Sequence, residues 1–216
     1  LIFFVMALLV LVRHGQSEGN IGSTYQTTDS PLSEQGKKQA ESIATRISKI
    51  EFDTLISSPL VRTRETAEAI AKTTNKNPEY SELFVERIKP TGLAGRSKVD
   101  EGAVKIWNEW EESLYTSGKR VGDGENFDDI IKRADKALDF LLNRPERTMV
   151  VVTSGYFLRV LIARVLLGET LTQDTYRNFQ SRIAMENTGI SVIRYKKGFR
   201  GHAWRLWIYN DHAHLG

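Results

Sequence analysis

Residues 1–20 read LIFFVMALLVLVRHGQSEGN, in which twelve apolar residues run without a break into Arg13-His14-Gly15. Crossing a bilayer takes roughly 20 apolar residues, so this run is too short to span one. A secretory signal would carry basic residues before its apolar core and a small-residue cleavage site after it. Neither flanks this run. The remaining reading is a buried strand from about Leu8 to Val12, with polar residues gathered at its carboxyl end. Met6 is a candidate native start, which would make residues 1–5 an upstream extension; Leu1 is the alternative.

Downstream, short apolar runs alternate with helical patterns, which predicts an α/β fold: three layers, with a mostly parallel central sheet. A polar loop covers 15–31, and a helix follows over 33–49 with Ser33 as its N-cap. Phe52–Ser57 reads as a second strand. Ser58 then reads as the N-cap of a helix whose first position is Pro59. Thr148–Thr153 reads as a third strand, running through Ser154-Gly155 into a helix over 156–167 that stops at Gly168. Residues 190–195 and 203–209 read as two strands joined by a turn at Lys197-Gly198. The stretch 83–126 is glycine-studded and less regular, with Trp107 and Trp110 on a predicted helix. It reads as a small, mainly helical cap insertion within one domain spanning 1–216.

Composition narrows the function classes. Apolar residues at 40% and charged residues at 26% match ordinary globular usage, which excludes a disordered chain. Without cysteine there is no disulfide framework and no thiolate chemistry, a pattern that fits a reducing cytoplasm. A net charge of +3 suits an anionic substrate but is too small to argue for nucleic acid.

Two segments carry the chemistry. In LVRHGQSEGN (11–20), His14 stands at a strand's carboxyl end, the edge where open α/β sheets bind ligands. A neutral imidazole can attack phosphorus, and the neighbouring guanidinium of Arg13 can neutralise phosphoryl oxygens. In SSPLVRTRETA (57–67), Arg62 falls in the first turn of a helix, where free N–H groups and the dipole already favour anions. Arg46 and Arg64 read as residues of solvated faces.

These two segments resemble the hallmark motifs of the histidine phosphatase superfamily, the phosphoglycerate mutase-like family. The likeness extends in order through PLSEQGKKQA (31–40), FVERIKPTGLAGR (84–96), VVVTSGYFLRVL (150–161) and NTGIS (187–191). It implies that His14 is the phosphorylated nucleophile and that Arg13 and Arg62 bind the transferred group. It further implies that Asn20, with Gly155 and the residue before it, contacts the same oxygens. Glu86 matches the carboxylate that protonates the leaving oxygen and later activates water. Glu18 is the second candidate acid, and an ion pair of Glu86 with Arg87 or Lys89 is the structural alternative. No cofactor or metal is implied, the substrate is a small phosphorylated molecule or inorganic phosphate, and family members often form homodimers.

One position departs from the family. Where a second histidine is expected, directly before Gly155, this chain has Ser154. Serine keeps a hydroxyl donor but is shorter and carries no charge. Losing one well-placed donor from such a site costs about 2.7–4 kcal/mol, or roughly 10²–10³ in rate. The chain is therefore expected to be an impaired enzyme, either through a deliberate substitution, which the intact remaining motifs favour, or as a natural pseudophosphatase. Ser154 is no serine-hydrolase nucleophile, because Val152 and Tyr156 stand where that elbow needs glycines.

Weaker signals take blander readings. Gly122-Asp123-Gly124 lacks a preceding strand and a third glycine, and reads as a loop. His202, His212 and His214 read as tail residues rather than metal ligands. The basic and aromatic residues of 194–205 read as a hairpin with a solvated tip, and Trp107 and Trp110 as core. Lys89, Arg96 and Lys98 could meet a second anionic group on the substrate. The expected activity is metal-independent phosphomonoester hydrolysis in the cytoplasm. The alternatives are mutase-type phosphoryl transfer and a non-enzymatic module that binds phosphate esters; neither nucleic acid nor membrane is an expected partner.

Overall fold

In the computed structural model, residues 6–196 and 204–216 are described. Six strands form one sheet in the order β3-β2-β4-β1-β5-β6. They span Met6–Arg13 (β1), Thr54–Ser57 (β2), Pro78–Tyr80 (β3), Thr148–Thr153 (β4), Ile190–Lys196 (β5) and Trp204–Asp211 (β6). Strands β3, β2, β4 and β1 are mutually parallel, and β5 and β6 are antiparallel additions at one side. The mostly parallel α/β sheet expected from the sequence is thus present, with β1 internal. The turn at Lys197-Gly198 and His202 lie outside the described residues.

The apolar run of β1 has a direct physical cause. Val10 and Val12 point to one face, against Ile43 and Ile47 of α2 (Glu34–Ile47) and Ile70 of α3 (Val61–Thr74). Leu9 and Leu11 point to the other, against α5 (Phe127–Leu142) and α6 (Gly155–Leu167). Successive strand residues alternate faces, so a strand covered by helices on both sides must be apolar throughout.

The remaining described α-helices are α1 (Glu18–Ile21), α4 (Glu101–Glu112) and α7 (Gln173–Gln180). Within 83–126, α4 packs Trp110 and Ala103 against Tyr25 and Leu93, forming a small separate apolar cluster. Among the described residues no helix is long and apolar enough to cross a membrane.

Ser33 caps α2 as expected, accepting the Gly36 N–H. The start of α3 differs from expectation. Leu60, in extended conformation, is the boundary residue, and the helix begins at Val61 rather than Pro59. The hydroxyl of Thr63 ties this turn together by donating to the carbonyls of Ser58 and Leu60, while Ser58 Oγ accepts from Leu60 N–H. Ser58 therefore stabilises a turn before the helix, not the helix itself. Arg46 is also no free surface cation, since it forms a two-point ion pair with Asp211 at the end of β6. Arg64 does lie half-exposed beside Glu68, as expected of a solvated face.

Candidate active site

Because β1, β4 and β2 are parallel, their carboxyl ends share one edge, and the signature segments meet there. Arg13 pairs in register with Thr153, and the His14 N–H donates to the Thr153 carbonyl at 3.0 Å. The loop after His14 is braced from three sides. Gly15 N–H donates to Thr66 Oγ1 of α3 at 3.1 Å, and the Asn187 side-chain amide donates to the His14 carbonyl at 2.9 Å. Gly15 and Gly36 also approach so closely that a Cβ on Gly36 would lie 1.9 Å from the Gln16 carbonyl oxygen.

His14 is 2% exposed. Its Nδ1 lies 2.6 Å from the Gly15 carbonyl, which can only accept, so Nδ1 carries the proton and the neutral ring leaves Nε2 with a free lone pair. Burial, then the charges of Arg62 and Arg13, hold the imidazole pKa well below its ordinary value. The ring is accordingly an unprotonated base at neutral pH.

Arg62 lies in the first turn of α3, as expected, and is 2% exposed. Arg13 donates to the Met185 carbonyl. The Nε atoms of both arginines, and Ser154 Oγ, are buried without a hydrogen-bond partner. Buried donors are nearly always satisfied, so the unpartnered guanidinium nitrogens of the two arginines that act on the His14 ring mark a place for an anion. Gly155 is required here: a Cβ on it would meet Arg13 Nε at 2.8 Å.

A cavity of about 560 Å³ opens over this edge, lined by Arg13, His14, Asn20, Glu86 and Gly155 among the expected residues. Arg62 lines an adjoining cavity of about 390 Å³ that shares Gln26, Glu86, Arg87 and Lys89 with the first. The structure therefore brings His14, Arg13, Arg62, Asn20, Glu86 and Gly155 together. Ser154 is fully buried beneath the wall formed by Gly155, at the N-cap of α6, where its side chain makes no capping bond. Asn20 carries a second duty, accepting the Ser17 N–H across the short helix α1. Glu18, the second candidate acid, does not line the cavity.

Glu86 makes no ion pair with Arg87 or Lys89; its carboxylate accepts the backbone N–H of Arg87. Arg87 turns inward instead, to Glu111 Oε1 at 3.0 Å and the Glu125 carbonyl at 3.0 Å, with its guanidinium 3.8 Å from the Trp110 ring centre. The Glu86 loop is held from behind. Arg133 donates to the carbonyls of Leu83, Val85 and Glu86 and pairs with Glu125, both side chains nearly buried. Thr153 Oγ1 adds a bond to the Phe84 carbonyl at 2.6 Å.

Of the cap cations expected near substrate, Lys89 and Lys98 line the cavity, whereas Arg96 pairs with Asp100 and does not. Trp110 is buried core, yet it and the half-buried Trp107 also line the cavity, with Trp107 stacked on Tyr25. His214 is no free tail residue, since it contacts Arg46 and Thr188 Oγ1. Among the described residues no cluster of three or more His, Cys, Asp or Glu is arranged for a metal ion. Sequence reasoning missed Arg159, Glu111, Arg133 and Gln180. For Arg159 a signal existed: four residues after Gly155 on a predicted helix is the same face.

A buried neutral imidazole between two guanidinium groups, with a carboxylate across the cavity, defines a phosphoryl-transfer site. The chain belongs to the histidine phosphatase superfamily, branch 1, whose model matches residues 9–210. Relatives include a probable phosphoglycerate mutase GpmB of Proteus mirabilis, 28% identical over 219 residues, covering 97% of this chain and 95% of that protein. A mutant phosphoserine phosphatase of Entamoeba histolytica, solved with phosphoserine, is 26% identical with a TM-score of 0.74, covering 97% and 99% of the two chains. Bacillus stearothermophilus YhfR, 23% identical, shares the fold with a TM-score of 0.80 over 97% and 100%. Membership in this superfamily of phosphatases and mutases makes the activity phosphatase or phosphoryl-transfer chemistry.

Proposed function

We propose that the chain hydrolyses a small phosphate monoester through a phosphohistidine on His14. The observation that carries this reading is the imbalance at the His14 ring: an imidazole with its lone pair free, flanked by two buried arginines with unsatisfied donors. In the first step Nε2 attacks phosphorus, the phosphorus–oxygen bond to the leaving group breaks, and Glu86 gives its proton to the departing oxygen. In the second, a water passes a proton to Glu86, attacks the phosphohistidine and releases inorganic phosphate, restoring both groups. Arg13, Arg62 and Asn20 hold the equatorial oxygens throughout. Segment 83–126 caps the site within a single domain, and the lack of cysteine supports a cytoplasmic setting.

Ser154 attenuates this activity. The hydroxyl offers one neutral donor where the family carries a second histidine. Restoring histidine (Ser154→His) is expected to raise turnover at least about ten-fold. Denatured, acid-lability-tested protein should then carry label from a ³²P-ester on His14. Adding Glu86→Gln should slow an alkyl ester by about 10²–10⁴ while affecting 4-nitrophenyl phosphate far less, because a good leaving group needs no proton. Phosphate-ester binding without labelling or turnover, even with histidine restored, would replace this reading by a non-enzymatic sensor.

Return of the phosphoryl group to a second phosphoglycerate is the other catalytic reading, and the name of the Proteus mirabilis relative favours it. Measuring phosphoglycerate interconversion against phosphate release in Ser154→His separates the two.

A further inference from the structure

We infer that Arg159 is a specificity-determining residue, which recognises a second anionic group carried close to the phosphoryl group by the leaving part of the substrate. The inference rests on the phosphomonoesterase reading above and concerns the same cavity.

The charge of the cavity wall exceeds what one phosphoryl group neutralises. Arg13, Arg87, Lys89, Lys98 and Arg159 face it with only Glu86 and Glu111 in opposition, and Arg62 adds its charge from the adjoining wall. Glu111 is already committed to Arg87 at 3.0 Å. A phosphate monoester brings at most two negative charges, so cationic charge is left over for the leaving group.

Among these cations Arg159 is the one whose placement picks out that group. It makes no ion pair with any described residue, and its Nε is buried without a hydrogen-bond partner. It lies on α6 four residues after Gly155, hence on the same face as the glycine that accommodates Arg13. Side chains on a helix lean back toward its N-terminus. Arg159 does so, with its guanidinium 5.6 Å from the ring centre of Tyr156, one turn earlier, and Tyr156 itself lines the cavity. The fork is thus drawn toward the end of the helix where the phosphoryl group is bound. Arg13 and Arg159 line the same cavity as like charges, so an anion that contacts both relieves their mutual repulsion.

The planar fork matches a carboxylate or a phosphate in two-point contact. Its position over the first turn of α6 restricts that anion to a short leaving group, a few bonds from the ester oxygen. Lys89, half-buried and likewise without an ion-pair partner among the described residues, supports the same charge from the cap.

The test uses the chain with Ser154 in place, whose expected slow turnover suits binding measurements, and reads the fluorescence of Trp107 and Trp110 in the cavity wall. Inorganic phosphate, ethyl phosphate, phosphoglycolate and ethane-1,2-diyl bisphosphate are titrated in turn. Phosphoglycolate or the bisphosphate should bind at least about ten-fold tighter than ethyl phosphate, the stronger of the two identifying carboxylate or phosphate as the second group. In Arg159→Gln the ratio should collapse to within about two-fold, while Arg159→Lys should keep part of it. A merely structural arginine would weaken all ligands in proportion and leave the ratio intact, which would overturn the inference. Equal binding of ethyl phosphate and phosphoglycolate by the unmodified chain would overturn it without any variant. Failure of inorganic phosphate and ethyl phosphate to bind at all would instead remove the phosphomonoesterase reading beneath it.

Discussion

Replacing Arg133 by methionine probes how the loop bearing Glu86, the proposed general acid, is held. The guanidinium bonds Glu125 from two nitrogens, each at 2.7 Å, and the two side chains are only 12% and 10% exposed. The same group donates to the carbonyls of Leu83 at 3.1 Å, Val85 at 2.9 Å and Glu86 at 3.3 Å. Methionine keeps most of the apolar stem and loses the guanidinium's place over the Phe157 ring, 4.1 Å from its centre, so the loss of stem packing is small. The dominant cost is the stranded carboxylate of Glu125, and breaking a buried pair from one side costs about 3–5 kcal/mol. In a domain of this size each kcal/mol moves Tm by about 2–4 °C, so Arg133→Met should melt about 6–20 °C lower in a calorimetric scan. The double variant with Glu125→Leu should cost less than the two single variants added together, since neither charge is then stranded. Kinetics in the histidine-restored background give the functional half. Turnover of an alkyl ester should fall more than that of 4-nitrophenyl phosphate, because only the former needs Glu86 in place. A Tm change under about 3 °C, or equal losses on both esters, would refute the claim that this pair positions the acid loop.

Two further outcomes follow from geometry already described. Burial and the flanking arginines depress the His14 pKa, so below about pH 6.5 the unfolded chain binds a proton that the folded chain refuses. Stability should therefore fall as pH drops through that window, with His14 contributing up to about 1.4 kcal/mol per pH unit; His14→Asn should lose that slope, so the difference in urea-derived stability between the chain and the variant should itself vary with pH, and a pH-independent difference would refute it. Gly36→Ala, which in an exposed helix would stabilise by about 1 kcal/mol, should here destabilise, because its Cβ meets the Gln16 carbonyl at 1.9 Å and displaces the loop bearing His14; a raised Tm would contradict the close approach.

What the sequence made legible was local. The apolar run of β1, the Ser33 cap and the first-turn position of Arg62 each depend on a few neighbouring residues, and each is found as expected. The boundary at Ser58-Pro59 misled because both residues suit a helix start, whereas Thr63, five positions on, bonds back and delays it. Strand β3 has only three residues, too few for any periodicity to register. Arg133, Glu125 and Arg87 were not legible as a group, since nothing in their spacing announces that 83–88, 110–113 and 125–133 converge. Such contacts are properties of the tertiary approach, and only the folded chain displays them.

The two sides of the cavity are built to different tolerances, and this bears on how the site can vary. His14 and its arginine neighbours hang from the ends of paired strands and from α3, tied by ladder bonds, Thr66 and Asn187. Glu86 and Lys89 belong to the stretch 85–90, which has no strand or α-helix of its own and is fixed by Arg133, Glu125 and one threonine. Changes in the cap segment can therefore alter proton delivery and leaving-group fit without moving the nucleophile. Arg159 is the exception among the specificity groups: anchored on α6 at the sheet side, it sets the position of a second anion relative to phosphorus rigidly. A substrate that satisfies both must match a fixed spacing on one wall and an adjustable surface on the other, so selectivity should lie more in the spacing of the two anions than in the shape of what joins them.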